Sequence, residues 1–323
     1  MSSTSSKSDN PVVTMLGRYL IMLRLPVGIL LLLLTFAIVE PRVISGANLR
    51  NIAVQGSYLA VFALAQCLVI LTRGFDLSLG FTVSIVSVVA AMTMVSSGSV
   101  AGGILAGLGV GLAVGLLNGL LIGGIGLNPL VTTLGVANIV MALASTVSGG
   151  FPVSGIPEEF TFIFAQAYFL GVPVLIWVVA AVFVICWLLL RATTLGRSLY
   201  LIGANARAAR AAGINVIGGL AAAYTISALV TATGALLLTA RTGSGEPNLG
   251  GNLTLEAIAA AVVGGAKLSG GEGGVSSALL GALFVTVLSN GMNLIRLDGY
   301  IQQICLGAII VISLILNRDN LRR

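Results

Sequence analysis

Ten stretches of mostly apolar residues run through this 323-residue chain, with short polar gaps between them. One helical crossing of a bilayer's hydrocarbon core takes about 20 such residues. The stretches lie near 19–39, 49–71, 77–95, 101–123, 129–148, 168–190, 217–240, 254–266, 274–293 and 300–316. They are continuous runs without two-residue alternation, which excludes a transmembrane barrel and leaves helices to satisfy the backbone. Charged residues make up only 8% of the chain, against about 25% in soluble domains, so water is not its main solvent. The predicted fold class is an all-α membrane protein with about ten transmembrane helices. The eighth stretch is short for a full crossing and is expected to be tilted, broken or partly re-entrant.

The formal charge of +6 is spread singly over the gaps and forms no patch. Nucleic acid is therefore not an expected partner; membrane lipid is, and cytoplasmic loops carry such a basic excess. With ten alternating helices and the N-terminus inside, the cytoplasmic side receives Lys7, Arg18, Arg73, Arg191, Arg197, Arg207, Arg210, Lys267, Arg318, Arg322 and Arg323. The outer side receives only Arg42, Arg50, Arg241 and Arg296. Both termini are thus expected in the cytoplasm. Residues 1–17 read as a polar tail, 18–316 as the transmembrane domain and 317–323 as a basic tail. The apolar run 25–39 ends at Glu40-Pro41-Arg42 without a small-residue cleavage site, so it reads as a first helix and not as a removed signal peptide. The longer inner gap, 191–216, carries Arg191, Arg197, Arg207 and Arg210 and reads as a cytoplasmic helix ending at Gly213.

Chemistry is constrained by what is missing. The chain has no histidine, and Cys67, Cys186 and Cys305 lie far apart in separate apolar segments. No zinc set or Ser-His arrangement is available, so no metal site and no enzyme are expected. LSGGE at 268–272 looks like the signature of ATP-binding cassettes, but a cassette also needs GxxxxGK[ST]. Lys7 and Lys267, the only lysines, lack that context, so the motif reads as a glycine-rich cytoplasmic turn.

The fourth helix carries glycine at 103, 107, 111, 115, 119 and 123. Glycines four apart share one face and let another backbone approach closely, which predicts tight helix packing. Within the spans lie Asn118, Asn138, Asn290 and Asn293, together with Gln55, Gln66, Thr132, Thr133, Gln302 and Gln303. Away from lipid, each has to find a hydrogen bond on a neighbouring helix or in a wet cavity. Together these neutral groups suit a polar, uncharged solute. Asp76 and Glu256 read as N-terminal caps of the third and eighth helices. The span centres hold no ionisable residue, which argues against a proton-coupled carrier. Arg73-Gly74 is followed about 45 residues later by Asn118-Gly119, and Arg241-Thr242-Gly243 about 49 residues later by Asn290-Gly291. Two units of opposite topology, an inverted repeat, are the implied organisation.

Five segments carry a resemblance: GFDLSLG (74–80), NGLLIGGIGLNPLVTTLG (118–135), TTLGRSLYLIGANARAARAAGINV (193–216), LEAIAAAVVGGAKLSGGEGGV (255–275) and NGMNLIRLDGYIQQICLGAIIVI (290–312). In this order they resemble the ribose/galactose-type sugar permease family of bacterial ABC importers, which is related to branched-chain amino acid permeases. The resemblance implies a multi-pass permease subunit of the bacterial inner membrane that translocates a sugar or sugar-like solute. It implies a second permease copy or paralogue, a periplasmic solute-binding protein, and cytoplasmic ATP-binding cassette subunits that hold the ATP, leaving this chain without a cofactor. It also implies ATPase coupling within 191–216, where Gly196, Arg197, Gly203, Asn205, Ala208, Ala209, Gly213 and Asn215 follow the family pattern. Arg207 departs from it, since relatives usually carry glutamate there. Asn118, Asn138, Asn290 and Asn293 are the candidates for the translocation path. The alternatives are an ion-coupled secondary transporter of a small polar solute and an ABC permease for branched-chain amino acids.

Overall fold

An apolar run in lipid has to close its own backbone hydrogen bonds, and the computed structural model, which describes residues 11–316 and the side chains from Leu25 onward except 310, 313, 314 and 316, is mostly helical. In chain order the helices are α1 (Pro11–Val39), α2 (Gly46–Ile70), α3 (Leu79–Ser97), α4 (Val100–Gly119), α5 (Pro129–Ser148) and α6 (Glu158–Thr161). They continue with α7 (Val174–Ala192), α8 (Thr194–Ala211), α9 (Val216–Thr242), α10 (Leu253–Val263), α11 (Val275–Leu294) and α12 (Gly299–Leu316). Among the described residues, seven are long and apolar enough to cross a membrane: α2, α3, α4 with its continuation to Gly124, α5, α7, α9 and α11.

Local sequence explains where many of them begin and end. The Ser45, Ser99 and Asn215 side chains accept from the Asn48, Gly102 and Gly218 amides and so start α2, α4 and α9. Asn128 does the same for α5, ahead of Pro129 at the first helical position. Gly98, Gly149 and Gly243 end α3, α5 and α9 in the left-handed conformation.

Two expectations change. α1 begins at Pro11, so the end of the predicted 1–17 tail is helical, proline being tolerated in a first turn. Residues 1–10 and the 317–323 tail, with Lys7, Arg318, Arg322 and Arg323, lie outside the described residues. The span expected at 168–190 begins as a hairpin, β1 (Tyr168–Phe169) against β2 (Val172–Pro173), and turns helical at Val174. Leu170 and Gly171 both adopt positive φ in that turn, and the Trp177 indole N–H donates to the Phe169 carbonyl and ties the hairpin to α7.

The eighth stretch is a broken element. α10 has 11 residues, roughly 16 Å of helix, about half the hydrocarbon thickness. The non-helical segment before it lies along α3. There the Glu246 amide donates to Ser87 Oγ (3.1 Å), and the Gly250 amide to Ser84 Oγ (3.2 Å). Irregular backbone at this depth is tolerable where protein groups satisfy it. The Gly80 amide donates in return to Thr254 Oγ1 (2.9 Å). Gly80 and Gly250 meet backbone to backbone, each occupying the space a Cβ on the other would need. Each residue of one pair lies 170 positions from its counterpart, Gly80 from Gly250 and Ser84 from Thr254. Packing repeats in the same way: α4 lies on α3 and α9, as α11 lies on α10 and α2. The centre is α2, buried all round from Tyr58 to Leu71, whereas α4, α5 and α7 keep broad exposed apolar faces.

Candidate functional site

The 191–216 segment folds onto one end of the bundle as α8. The Thr193 hydroxyl accepts from the Gly196 amide to start it (3.0 Å), and Gly196 lies against the backbone of Leu189 and Leu190. Leu199 and Ile202 are buried beneath. At Asn205 the helix breaks, with φ −162° and ψ 100°. The Asn205 carboxamide oxygen accepts from the Arg207 and Ala208 amides, both at 3.0 Å, so a new helical turn starts there. Gly213, at φ 81°, ends it, and Asn215 starts α9. Ala209 faces inward beside Ile202 and Val216. Arg197, Arg207, Ala208 and Arg210 are exposed, and neither Arg207 nor Arg210 has an ion-pair partner among the described residues.

What fixes this turn to the membrane bundle is Gly203. A Cβ there would fall on the Leu71 carbonyl and come within 2.6 Å of the Gly271 amide nitrogen. That amide donates to the Leu71 carbonyl (2.9 Å), and the Arg73 guanidinium donates to the Ala204 carbonyl (2.8 Å). The end of α2, the middle of α8 and the loop before α11 therefore meet at one point. The loop contains the LSGGE motif, closed by an ion pair between Lys267 and Glu272 (2.6 Å). Its Gly270 and Gly271 adopt positive φ, a turn that only glycine forms at low cost. Tyr200 donates to the Gly273 carbonyl (3.0 Å); burial pushes its phenol above the ordinary range, so it does so as a neutral hydroxyl. Gly203, Gly271 and Tyr200 form a junction that spacing alone could not expose, because the three contacts join residues 70 to 200 positions apart.

The four asparagines do not converge. Asn118 is buried; its amide donates to Ser78 Oγ (2.9 Å) and its carbonyl oxygen has no partner among the described residues. Asn290 exchanges two hydrogen bonds with Asn48. Asn138 is exposed and donates back to the Leu134 carbonyl of its own helix. Asn293 accepts from Gln302. Asp76 does not cap α3: it is 3% exposed and accepts from the Ser78 amide and hydroxyl, making a tight turn ahead of the helix. Glu256 makes no hydrogen bond to the first turn of α10; it lines a cavity instead. The glycine row on α4 divides between two neighbours. Gly103 lies against Met94 and Ala90 of α3; Gly107, Gly111, Gly115, Gly119 and Gly123 run along α9, against Leu236, Ala232, Ala228, Ala221 and Ile217 in turn.

A bundle of long apolar helices packed around α2, with the half-helix α10 among them, defines a multi-pass membrane protein. Residues 48–314 match the family model described as the permease component of the branched-chain amino acid transport system, and the chain belongs to that family. It is 35% identical over 292 residues to the ribose import permease protein of Bacillus subtilis (strain 168), covering 90% of this chain and 91% of the relative. It is 36% identical to the probable ABC transporter permease protein YphD of Escherichia coli (strain K12), over 93% of this chain and 90% of the relative. With the L-arabinose transport system permease protein of the same strain it shares 33% identity, over 89% and 87% of the two chains. No solved structure matches it.

Proposed function

We propose that this chain is the membrane-spanning permease subunit of an ATP-driven importer for a sugar, with ATP bound and hydrolysed on a separate cytoplasmic subunit. The observation that carries the reading is the exposed turn after Asn205, fixed through Gly203 to the end of α2 and to the loop before α11. A cytoplasmic ATPase pressing on Arg207, Ala208 and Arg210 moves α8. Backbone packed on backbone has no rotamer to absorb that push, so α2 and α11 shift with it. The helices then rock between inward- and outward-facing arrangements, as in rigid-body alternating access. Asn118, with a carbonyl oxygen left free, is the one of the four asparagines best suited to change partners in that motion.

In this reading the chain crosses the inner membrane ten times with both termini cytoplasmic. The extended segment 243–252 and α10 together make the eighth crossing. A second permease copy or paralogue covers part of the exposed apolar surface, and a periplasmic binding protein delivers the solute. The names of the relatives, ribose and L-arabinose permeases, favour a sugar. The family description raises branched-chain amino acids as the second reading.

The test is to co-express the chain with the ATPase and binding protein encoded beside it, and to measure ATP turnover and uptake of D-ribose, L-arabinose and L-leucine in proteoliposomes. A stable complex whose ATP turnover rises with sugar-loaded binding protein is expected. Uptake of leucine alone transfers the assignment to amino acids. A chain that purifies without an ATPase and still moves solute down an ion gradient is a secondary transporter.

A further inference from the structure

An open cleft of about 350 Å³ lies between α2, α9, α10 and α11, a volume within the range of small-molecule sites. Six of its lining side chains are polar: Gln55, Tyr58, Arg241, Glu256, Thr286 and Ser289. Tyr58 stands 12 residues into the 25-residue α2, about 18 Å along it, so the cleft runs from mid-depth toward the end of the bundle where exposed Arg241 closes α9. Glu256, in the first turn of α10, is an ionisable group in this cleft where the sequence reading expected none in the span centres; such groups are costly in a membrane and mark functional pathways more often than structural ones.

Among the described residues, most of these polar groups keep donors or acceptors free to face the cleft. Glu256, Thr286 and Ser289 make no side-chain hydrogen bond among the described residues, and Glu256 no ion pair there. Arg241 likewise pairs with no carboxylate; its guanidinium lies over the Tyr58 ring, 5.2 Å from the centroid. Gln55 donates to Asn51, which leaves its carbonyl oxygen free. A carboxylate that accepts, a guanidinium that donates and two hydroxyls that do both thus face one space of opposite-charge balance.

We propose that this space is a binding station for a neutral polyhydroxylated solute of monosaccharide size, an inference that rests on the importer reading above. Glu256 accepts from a vicinal pair of hydroxyls, Arg241 donates to a ring or hydroxyl oxygen, and Thr286 and Ser289 bond the remaining hydroxyls. One cation and one anion leave no excess charge, which disfavours a phosphorylated sugar. The apolar wall of the same space, including Leu59 and Phe62, takes the C–H face of the ring. A zwitterionic amino acid would instead engage Arg241 and Glu256 alone and leave both hydroxyls unused.

The test uses the full complex in proteoliposomes, with Cys305→Ser as background because Cys67 and Cys186 are buried. Ser289→Cys, or Gln55→Cys where the first variant assembles poorly, is reacted with a small thiosulfonate reagent, and Ser96→Cys serves as the site away from the space. D-Ribose or L-arabinose at concentrations that saturate uptake is expected to slow modification at the space and not at Ser96→Cys, while L-leucine does not. Glu256→Gln is expected to lower the pentose kcat/KM roughly ten- to hundredfold, the loss of a charged hydrogen-bonding group. Pentose uptake with no protection and an unchanged kcat/KM overturns the station and leaves the importer reading standing. Protection by leucine in place of pentose overturns the ligand class. Absence of ATP-dependent pentose uptake by the parent complex overturns both.

Discussion

At Gly203 a single hydrogen in place of a side chain lets α8 lie on the Leu71 carbonyl. Gly203→Ala forces backbone to move on one side of that contact, at a cost of about 1–3 kcal/mol, the usual range for overpacking. A lower melting temperature of the purified complex and reduced sugar uptake per ATP hydrolysed are expected. Unchanged values for both would remove the junction from the mechanism. Asn205 acts differently, through its side-chain oxygen. Asn205→Ala removes a cap worth about 1 kcal/mol, so hydrogen exchange at the Arg207 and Ala208 amides should quicken about fivefold, and Asn205→Asp should restore the slow rate. The Gly213 stop was legible in ANARAARAAG because it is local chemistry; the Asn205 cap was not, since an alanine- and arginine-rich run reads as one continuous helix. The partner of Gly203 was not, since nothing near it in the chain specifies Leu71 or Gly271.

Among the helices, α4 shows how far a pattern reaches. Its four-residue glycine spacing announced a close packing face. Only the fold assigns Gly103 to α3 and the later glycines to α9. Gly111→Val and Gly115→Val place methyl groups where Ala232, Ala228 and the Thr225 backbone already stand, and each is expected to destabilise the complex by about 1–3 kcal/mol. Gly109→Ala on the open side of the same helix meets nothing within 4 Å and should be neutral or slightly stabilising, by up to about 1 kcal/mol. Thermal melting in detergent of the three variants side by side checks the contrast; equal effects would mean that helix propensity and not packing governs α4. α10 carries the converse lesson. Its apolar run read as a short eighth span, tilted, broken or partly re-entrant, and the residues before it, 243–252, are polar and glycine-rich. They are held at depth by Ser84 and Ser87 of α3, hydroxyls that look unremarkable in the sequence.

For the whole molecule, orientation follows from basic residues and is open to direct measurement. In a Cys305→Ser background, Ser96→Cys should react with an impermeant maleimide from the periplasmic side and Arg207→Cys only in inverted vesicles. The reverse pattern would turn the chain over in the membrane. The 170-residue repetition of the Gly80–Thr254 and Gly250–Ser84 bonds extends this argument. In the proposed importer, this shared central contact gives a push delivered to α8 a core to tilt about.

The sequence by itself determined the solvent, the helical class, most helix starts and stops, and the separate arginine-bearing helix within 191–216. These depend on composition and on contacts within a few residues. Tertiary structure alone decided that α1 extends back to Pro11, that the first part of the 168–190 stretch is a hairpin, that the four asparagines stay apart, and that Arg241 and Glu256 face one cavity. Those outcomes depend on which faces meet across the bundle, and pairings over 150 residues or more leave no periodic trace in the chain.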